Sequence, residues 1–284
     1  LDAVNELSYL CLKATGDLKL TSPTVVARVH AGTPEPFLYE CCRANLAHGG
    51  GLPGLFNDTV AIPTILNLGI PLEDARDWAV LGCAEMIIPG KSCSMTGGGG
   101  YFSLLKLLEI ALNNGVNPAT GLCLCPGNGD LSGFESYQDV EAAFKHQLDW
   151  YLKLLPMFAN AIYLAYAEGT PTPLLSAMMT HSIEAAVDHA EGGGANYNTT
   201  QVQGHNTANL GNGLAAIKKL VFEEKRISAA GLKEAIDSNF SGPRGEEIRQ
   251  MLLNRAPKFG NDDDTVDLLT RRAVNWFVDG LKGF

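Results

Sequence analysis

No apolar run in this sequence reaches the roughly 18 residues needed to cross a bilayer; AVLGCAEMII is interrupted by Glu85 and stops at Pro89. A membrane-embedded chain is therefore not expected. Positive charge is scarce: 21 Lys and Arg stand against 31 Asp and Glu, a formal charge of -10. No stripe of Lys and Arg interleaved with aromatics appears, so nucleic acid is not an expected partner. The opening LDAVNELSYL lacks a basic region leading into an apolar stretch and cleavage site, and the cysteines number seven, an odd count. Both observations predict reduced thiols in a cytosol.

Metal and nucleotide signatures are missing too. Cys41 and Cys42 are adjacent, Cys123 and Cys125 lie one residue apart, and no C-x-x-C occurs, which argues against zinc or an iron–sulfur cluster. No H-E-x-x-H occurs, so His181, Glu184 and Asp188 read as solvated or locally satisfied groups. PGKS at 89–92 would complete a phosphate loop only with glycine at position 85, which is Glu85. The glycine run at 97–100 permits a sharp reversal but carries no dinucleotide fingerprint. No internal repeat and no dividing linker is evident.

What is present is an ordinary globular composition, 46% hydrophobic and 18% charged, sufficient for one large α/β domain or two smaller ones. TVVARVH (24–30) reads as a strand, followed by a helix from Pro36 to the HGGG breaker at 48–51. PLEDARDW (71–78) reads as a short helix and AVLG as a buried strand, which sets Cys83 where strand turns into loop. YFSLLKLLEIALNNG (101–115) has helical spacing and a glycine stop, and a glycine-rich loop covers 115–134. Ser136 and Asp139 resemble a helix start, after which Val140, Phe144, Leu148, Leu152 and Leu155 form one apolar stripe of a helix expected to bend at Pro156. Residues 173–190 read as another helix, 191–213 as a long polar loop, and the remainder as mainly helical with an acidic break at GNDDD.

One segment places chemistry-bearing groups close together. GCAEMIIPGK (82–91) sets the thiol of Cys83 two residues before the carboxylate of Glu85. Free cysteine commonly packs as a small buried hydrophobe, so these residues alone leave a packing role open beside a reactive one. A Cys-His hydrolase is a further alternative, with His205 and Asn206 or Asn209 as partners. His30 and His205 read as turn residues that bond locally or as polar site residues.

Taken in order, NELSYLCLKAT, RVHAGTP, GLPGLFND, IPLEDARDWAVLGCAEMIIPGK with its G-C-x-E-x-x-x-P-G-K string, LLEIALNNG, EGGGANYN, LAAIKKLVFEEKRIS and KFGNDDDTVD resemble the pyruvate formate-lyase-like glycyl radical enzymes across almost the whole chain. The resemblance implies a helix-rich α/β fold, part of a ten-stranded α/β barrel, with residues 1–284 as one partial barrel domain. It implies that Cys83 becomes a thiyl radical that takes a hydrogen atom from a small organic substrate, and that Glu85 moves a proton. Such chemistry calls for a dry, enclosed site. The expected substrate contacts are Thr96, Asn198, Gln203 and His205.

Departures from the family pattern narrow the expectation. Ala84 follows Cys83 where pyruvate-cleaving members carry a second cysteine, which argues against formate C-acetyltransferase activity. CSMTGGGGY (93–101) stands where diol dehydratases have a His-Asp pair, and Gly211-Asn212-Gly213-Leu214 replaces an Ala-Asp-Ser-Leu string. No Arg-Val-Ala/Ser-Gly-Tyr/Phe string follows residue 205, and RVHAG at 28–32 has Thr33 where an aromatic belongs. The resemblance thus implies a radical glycine and an N-terminal region outside these residues. The expected reaction is a lyase step, elimination or decarboxylation, and the expected cofactor is a glycyl radical installed by a radical S-adenosylmethionine activating enzyme. A cytoplasmic homodimer, free or in a bacterial microcompartment, is expected. A non-catalytic remnant or interaction module is the alternative.

Overall fold

The computed structural model describes residues 2–93 and 99–282. The chain divides into two compact units, one of residues 1–96 and 166–199 and the other of residues 97–165 and 200–284. Among the described residues no helix is long and apolar enough to cross a membrane.

The first unit opens with α1, Glu6–Leu18, started by a capping box in which Asn5 Oδ1 accepts the N–H groups of Leu7 and Ser8 while Ser8 Oγ accepts that of Asn5. The strand β1, Val26–Val29, is followed by α2, Glu35–His48, with Pro36 in its first turn and Gly49 at φ +74° ending it. These match the expected strand and helix. The strand β2, Gly54–Asn57, pairs in parallel with β1, Val26 opposite Gly54, so α2 is a crossover between them. Leu12, Ala27, Phe37, Cys41 and Ala44 form the small core beneath α1 and α2.

Asn57 then caps α3, Asp58–Leu66, which is followed by α4, Leu72–Arg76. The strands β3, Ala79–Leu81, and β4, Glu85–Ile87, form an antiparallel hairpin. Ile65, Ile70, Ala75, Trp78 and Ile88 pack into a second small core.

The second unit begins with β5, Tyr101–Ser103, directly followed by α5, Leu104–Ala111, whose first turn is capped by Ser103 Oγ. The helical spacing of 101–115 extends into this strand, yet the first three residues pair in parallel with β6, Gln203–His205. Sheet pairing across about a hundred positions overrides the local pattern. The 33-residue α6, Tyr137–Gly169, starts where Asp139 accepts the N–H and hydroxyl of Ser136, and it runs through Pro156 without ending. Val140, Phe144 and Leu148 are wholly buried and Leu152 and Leu155 nearly so, as the stripe predicts.

The helix expected over 173–190 is absent. Two short helices stand there, α7, Pro173–Ser176, and α8, Ser182–Ala185, both in the first unit. Ser and Thr side chains divert the backbone: Ser176 Oγ donates to Asp188 and Thr180 Oγ1 donates to Gly90 O. Asp188 is therefore no solvated surface group; it also accepts the Thr172 N–H at 2.8 Å. The polar stretch 191–213 likewise is not one loop, because it contains β6 and the start of α9, Thr207–Ile217.

α9 widens into a π-helical segment over Lys218–Glu223 and is followed by α10, Ala229–Asp237, α11, Gly242–Asn254, and α12, Asp264–Leu281. The acidic break is the start signal of α12, with Asp263 accepting the Thr265 N–H. Gly211 is fixed by close helix packing: a Cβ there would lie 1.9 Å from Thr270 Oγ1. Side chains of α5, α6, α9, α10, α11 and α12 merge into one continuous apolar core.

Candidate active site

Cys83 lies at the tip of the β3–β4 hairpin, with Leu81 opposite Glu85 as its last pair. Gly82 takes φ +60°, a left-handed conformation that turns the chain, and a Cβ on it would sit 3.2 Å from Glu85 Oε2. Glu85 is 6% exposed while Cys83 is exposed. The buried carboxylate is turned back into the turn: Oε2 accepts the N–H of Cys83 at 3.1 Å and of Ala84 at 3.0 Å. Glu85 thus fixes the backbone that presents the thiol.

The packing role left open for Cys83 by its residue type is not what the structure contains, because a hairpin tip projects away from the core. Exposed thiols also occur at Cys11, Cys42 and Cys123, so exposure alone does not distinguish it. Its pairing with a buried acid does. Cys41 and Cys125 are buried; desolvation pushes Cys41 up to about 11 and raises Cys125, which holds both as inert thiols. Within the described residues of the first unit Cys83 is exposed.

The stems of the hairpin are anchored by two polar networks that the sequence reading did not single out. At the entry, Arg28 of β1 grips Asp58 of α3 in bidentate fashion at 3.0 and 3.1 Å. The same guanidinium donates to Trp78 O at 2.6 Å and to Arg76 O at 3.2 Å, and lies 4.7 Å over the Trp78 ring. Trp78 Nε1 returns a bond to Asp58 at 2.9 Å. At the exit, Lys91 Nζ and Tyr197 OH each donate at 2.5 Å to opposite oxygens of Asp74. These bonds lower the Asp74 carboxyl below its ordinary value, raise Lys91, and push Tyr197 up to about 12.

Of the expected substrate contacts, Thr96 lies outside the described residues. Asn198 is exposed in the first unit and bonds to its own loop, Nδ2 to Ala195 O at 3.4 Å. Gln203 and His205 are in the second unit, paired with each other at 3.1 Å, and His205 meets the edge of Tyr101 with centroids 5.2 Å apart. His30 is a turn residue: Nδ1 accepts the Gly32 N–H, and Nε2 lies 3.1 Å from Asp2. His181 and Glu184 form an exposed 3.8 Å contact, as expected of surface groups. Among the described residues no cluster of three His, Cys, Asp or Glu side chains suits a metal ion.

A family model described as pyruvate formate lyase-like matches residues 1–284. A probable dehydratase, YbiW, of Escherichia coli strain K12 is 36% identical over 286 residues, covering 100% of this chain and 35% of that protein. Trans-4-hydroxy-L-proline dehydratase of Clostridioides difficile is 33% identical over 282 residues, 99% of this chain and 35% of its own length. The glycerol-bound structure of the B12-independent glycerol dehydratase from Clostridium butyricum superposes with a TM-score of 0.80 at 35% identity, over 100% of this chain and 35% of that one. The matched relatives are glycyl radical lyases that include dehydratases, isethionate sulfite-lyases and an indoleacetate decarboxylase. The fold is α/β and corresponds to part of the barrel of these enzymes. The chain spans only 35% of the length of the first relatives it matches.

Proposed function

The chain belongs to the pyruvate formate lyase-like family over its whole length, and from that premise we propose that its protein is a glycyl radical lyase in which Cys83 starts the reaction and Glu85 transfers the proton. The observation that carries the reading is the hairpin itself: an exposed thiol held by backbone bonds to a buried acid two residues away. A glycyl radical carried outside these residues would supply the acceptor for the hydrogen atom of the Cys83 thiol, leaving a thiyl at Cys83. Cys83 Sγ then forms an S–H bond as a substrate C–H bond breaks, a nearly balanced exchange when that C–H is activated. On a hydroxylated substrate, Glu85 takes the hydroxyl proton at the carbon radical while the neighbouring leaving group departs. The Cys83 S–H returns its hydrogen atom to the product radical, restoring the thiyl.

In this reading Thr96, Asn198, Gln203 and His205 contact substrate, and both units belong to one partial barrel domain. The radical is installed by an activating enzyme of the radical S-adenosylmethionine class, and the protein is a cytoplasmic homodimer, free or within a microcompartment. Elimination is favoured over acyl transfer because Ala84, which offers no second thiol, follows Cys83.

Anaerobic electron paramagnetic resonance on the full-length protein, after incubation with an activating enzyme and S-adenosylmethionine, tests the class. A glycyl doublet is expected, together with turnover of at least one of glycerol, 1,2-propanediol, trans-4-hydroxy-L-proline and isethionate. No doublet, with an activating enzyme that works on a control, would favour the non-catalytic remnant.

A further inference from the structure

A hairpin of three residue pairs is too small to hold its own tip in place. Hydrogen-atom transfer needs its partners at contact distance, and a displacement of about 1 Å can cost about 100-fold in rate. What fixes the stems of this hairpin therefore fixes Cys83 Sγ.

Both stems are tied to one short stretch, residues 74–78. On the entering side, Trp78 O receives Arg28. On the leaving side, Ile88 is buried in the same small core as Trp78, and the chain continues through Pro89 and Gly90 to Lys91. The backbone from Lys91 to Cys93 is laced to the 197 segment: Tyr197 N donates to Lys91 O and Cys93 N donates to Tyr197 O, both at 3.0 Å. Gly90 O, one residue earlier, accepts the Thr180 N–H at 2.9 Å. Asp74, 8% exposed, joins these segments through its two oxygens, one to Lys91 and one to Tyr197. A single buried carboxylate thus ties α4, the exit of the hairpin and the 197 segment together.

We propose that Asp74 is the positioning residue of the reaction, setting the place of the Cys83 tip through Lys91 and Tyr197 without touching the reacting atoms. The inference rests on the assignment of Cys83 as the hydrogen-abstracting residue, and it adds Asp74, Lys91 and the sequence-remote Tyr197 to the machinery. Asn at this position retains size and one acceptor oxygen but removes the charge that holds Lys91 and the second oxygen that serves the network. The exit stem loses its tie to α4 while the entry clamp remains, so the hairpin opens more often and with it the turn that holds the Cys83 and Ala84 N–H groups.

The test uses the full-length protein, activated and assayed on glycerol, 1,2-propanediol, trans-4-hydroxy-L-proline and isethionate. Asp74→Asn is expected to lower kcat about 100-fold with KM changed less than about threefold, at undiminished glycyl radical content. In the unactivated protein, amide hydrogen exchange at Cys83 and Ala84 is expected to quicken about tenfold or more, the measure of released local structure. Lys91→Met should reproduce both effects and Lys91→Arg, which keeps the ion pair, should rescue them. Tyr197→Phe, which removes one bond and adds no charge imbalance, is the second variant should Asp74→Asn fail to fold, and it should show a smaller loss of the same kind. Unchanged exchange at 83–84 with turnover near that of the unsubstituted protein would overturn the proposal, as would lowered thermal stability with kcat intact. If the unsubstituted protein turns over none of the substrates, the lyase reading fails instead, and the exchange measurement alone decides whether Asp74 positions the tip.

Discussion

The two units hold themselves together by different means. The second has one continuous apolar core, with Phe144, Leu148, Leu210 and Leu220 wholly buried among helices. Among its described residues the first has three separate small clusters, and polar bonds tie its segments: Arg28 to Asp58 and Trp78, Asp74 to Lys91 and Tyr197, Asp188 to Thr172 and Ser176. Apolar contact is non-directional and tolerates small shifts, whereas a bidentate or two-sided carboxylate contact fixes orientation. The unit that carries Cys83 is the one built from directional contacts. Under the role proposed for Cys83, rigidity of position rather than depth of core is what the thiol requires.

The sharpest break of this contrast is Glu85→Gln. The amide oxygen can still accept the Cys83 and Ala84 N–H groups, so the turn persists while proton transfer is lost; turnover should fall about 100- to 10,000-fold. Amide exchange at 83–84 near that of the unsubstituted protein would separate the chemical role from the structural one, and a near-normal rate would remove Glu85 from the mechanism. In the other unit, Leu148→Ala leaves a cavity in a continuous core and should cost about 2–5 kcal/mol in urea unfolding. A loss below about 1 kcal/mol would mean that the core is less well packed than its burial indicates.

A pH titration sharpens the comparison with a smaller effect. Asp74 is held below its ordinary value by Lys91 and Tyr197, so its contribution is present above the unfolded-state carboxylate value and is lost as pH falls through the folded one. Tyr197 is raised to about 12, so its contribution is complete below the unfolded-state tyrosine value and is lost as pH rises through about 12. Burial also raises Tyr137 and Tyr151; tyrosine-labelled nuclear magnetic resonance should find among the late ionisations one that moves down toward about 10 in Asp74→Asn while the other two stay in place. Smallest of all, Arg272→Ala removes a half-exposed pair with Glu141 and should cost less than about 1 kcal/mol.

Much of the hairpin was legible in the sequence: the apolar AVLG run gave β3, and Gly82 with Cys83 gave the turn. The strand β4 was not, since a glutamate at its start spoils the apolar pattern, and its burial becomes reasonable only when its carboxylate meets two N–H groups of the turn. The strand β5 was hidden because its residues continue a helical spacing, and its partner lies about a hundred residues away. The helix expected over 173–190 failed because the apolar pattern did not reveal side chains that bond to remote backbone, such as Thr180 to Gly90. Arg28, Asp58, Asp74, Lys91 and Tyr197 all stand within the stretches that carry the family resemblance, but no local spacing links Asp74 to Tyr197, 123 positions apart. Contacts of that range become readable only after folding.

The most direct measurement is anaerobic product formation by Cys83→Ala in the activated full-length protein, on the substrates already named, at a glycyl radical content matched to the unsubstituted protein. The account predicts an intact radical, an intact fold and no product. Product formed at an appreciable fraction of the unsubstituted rate would contradict it.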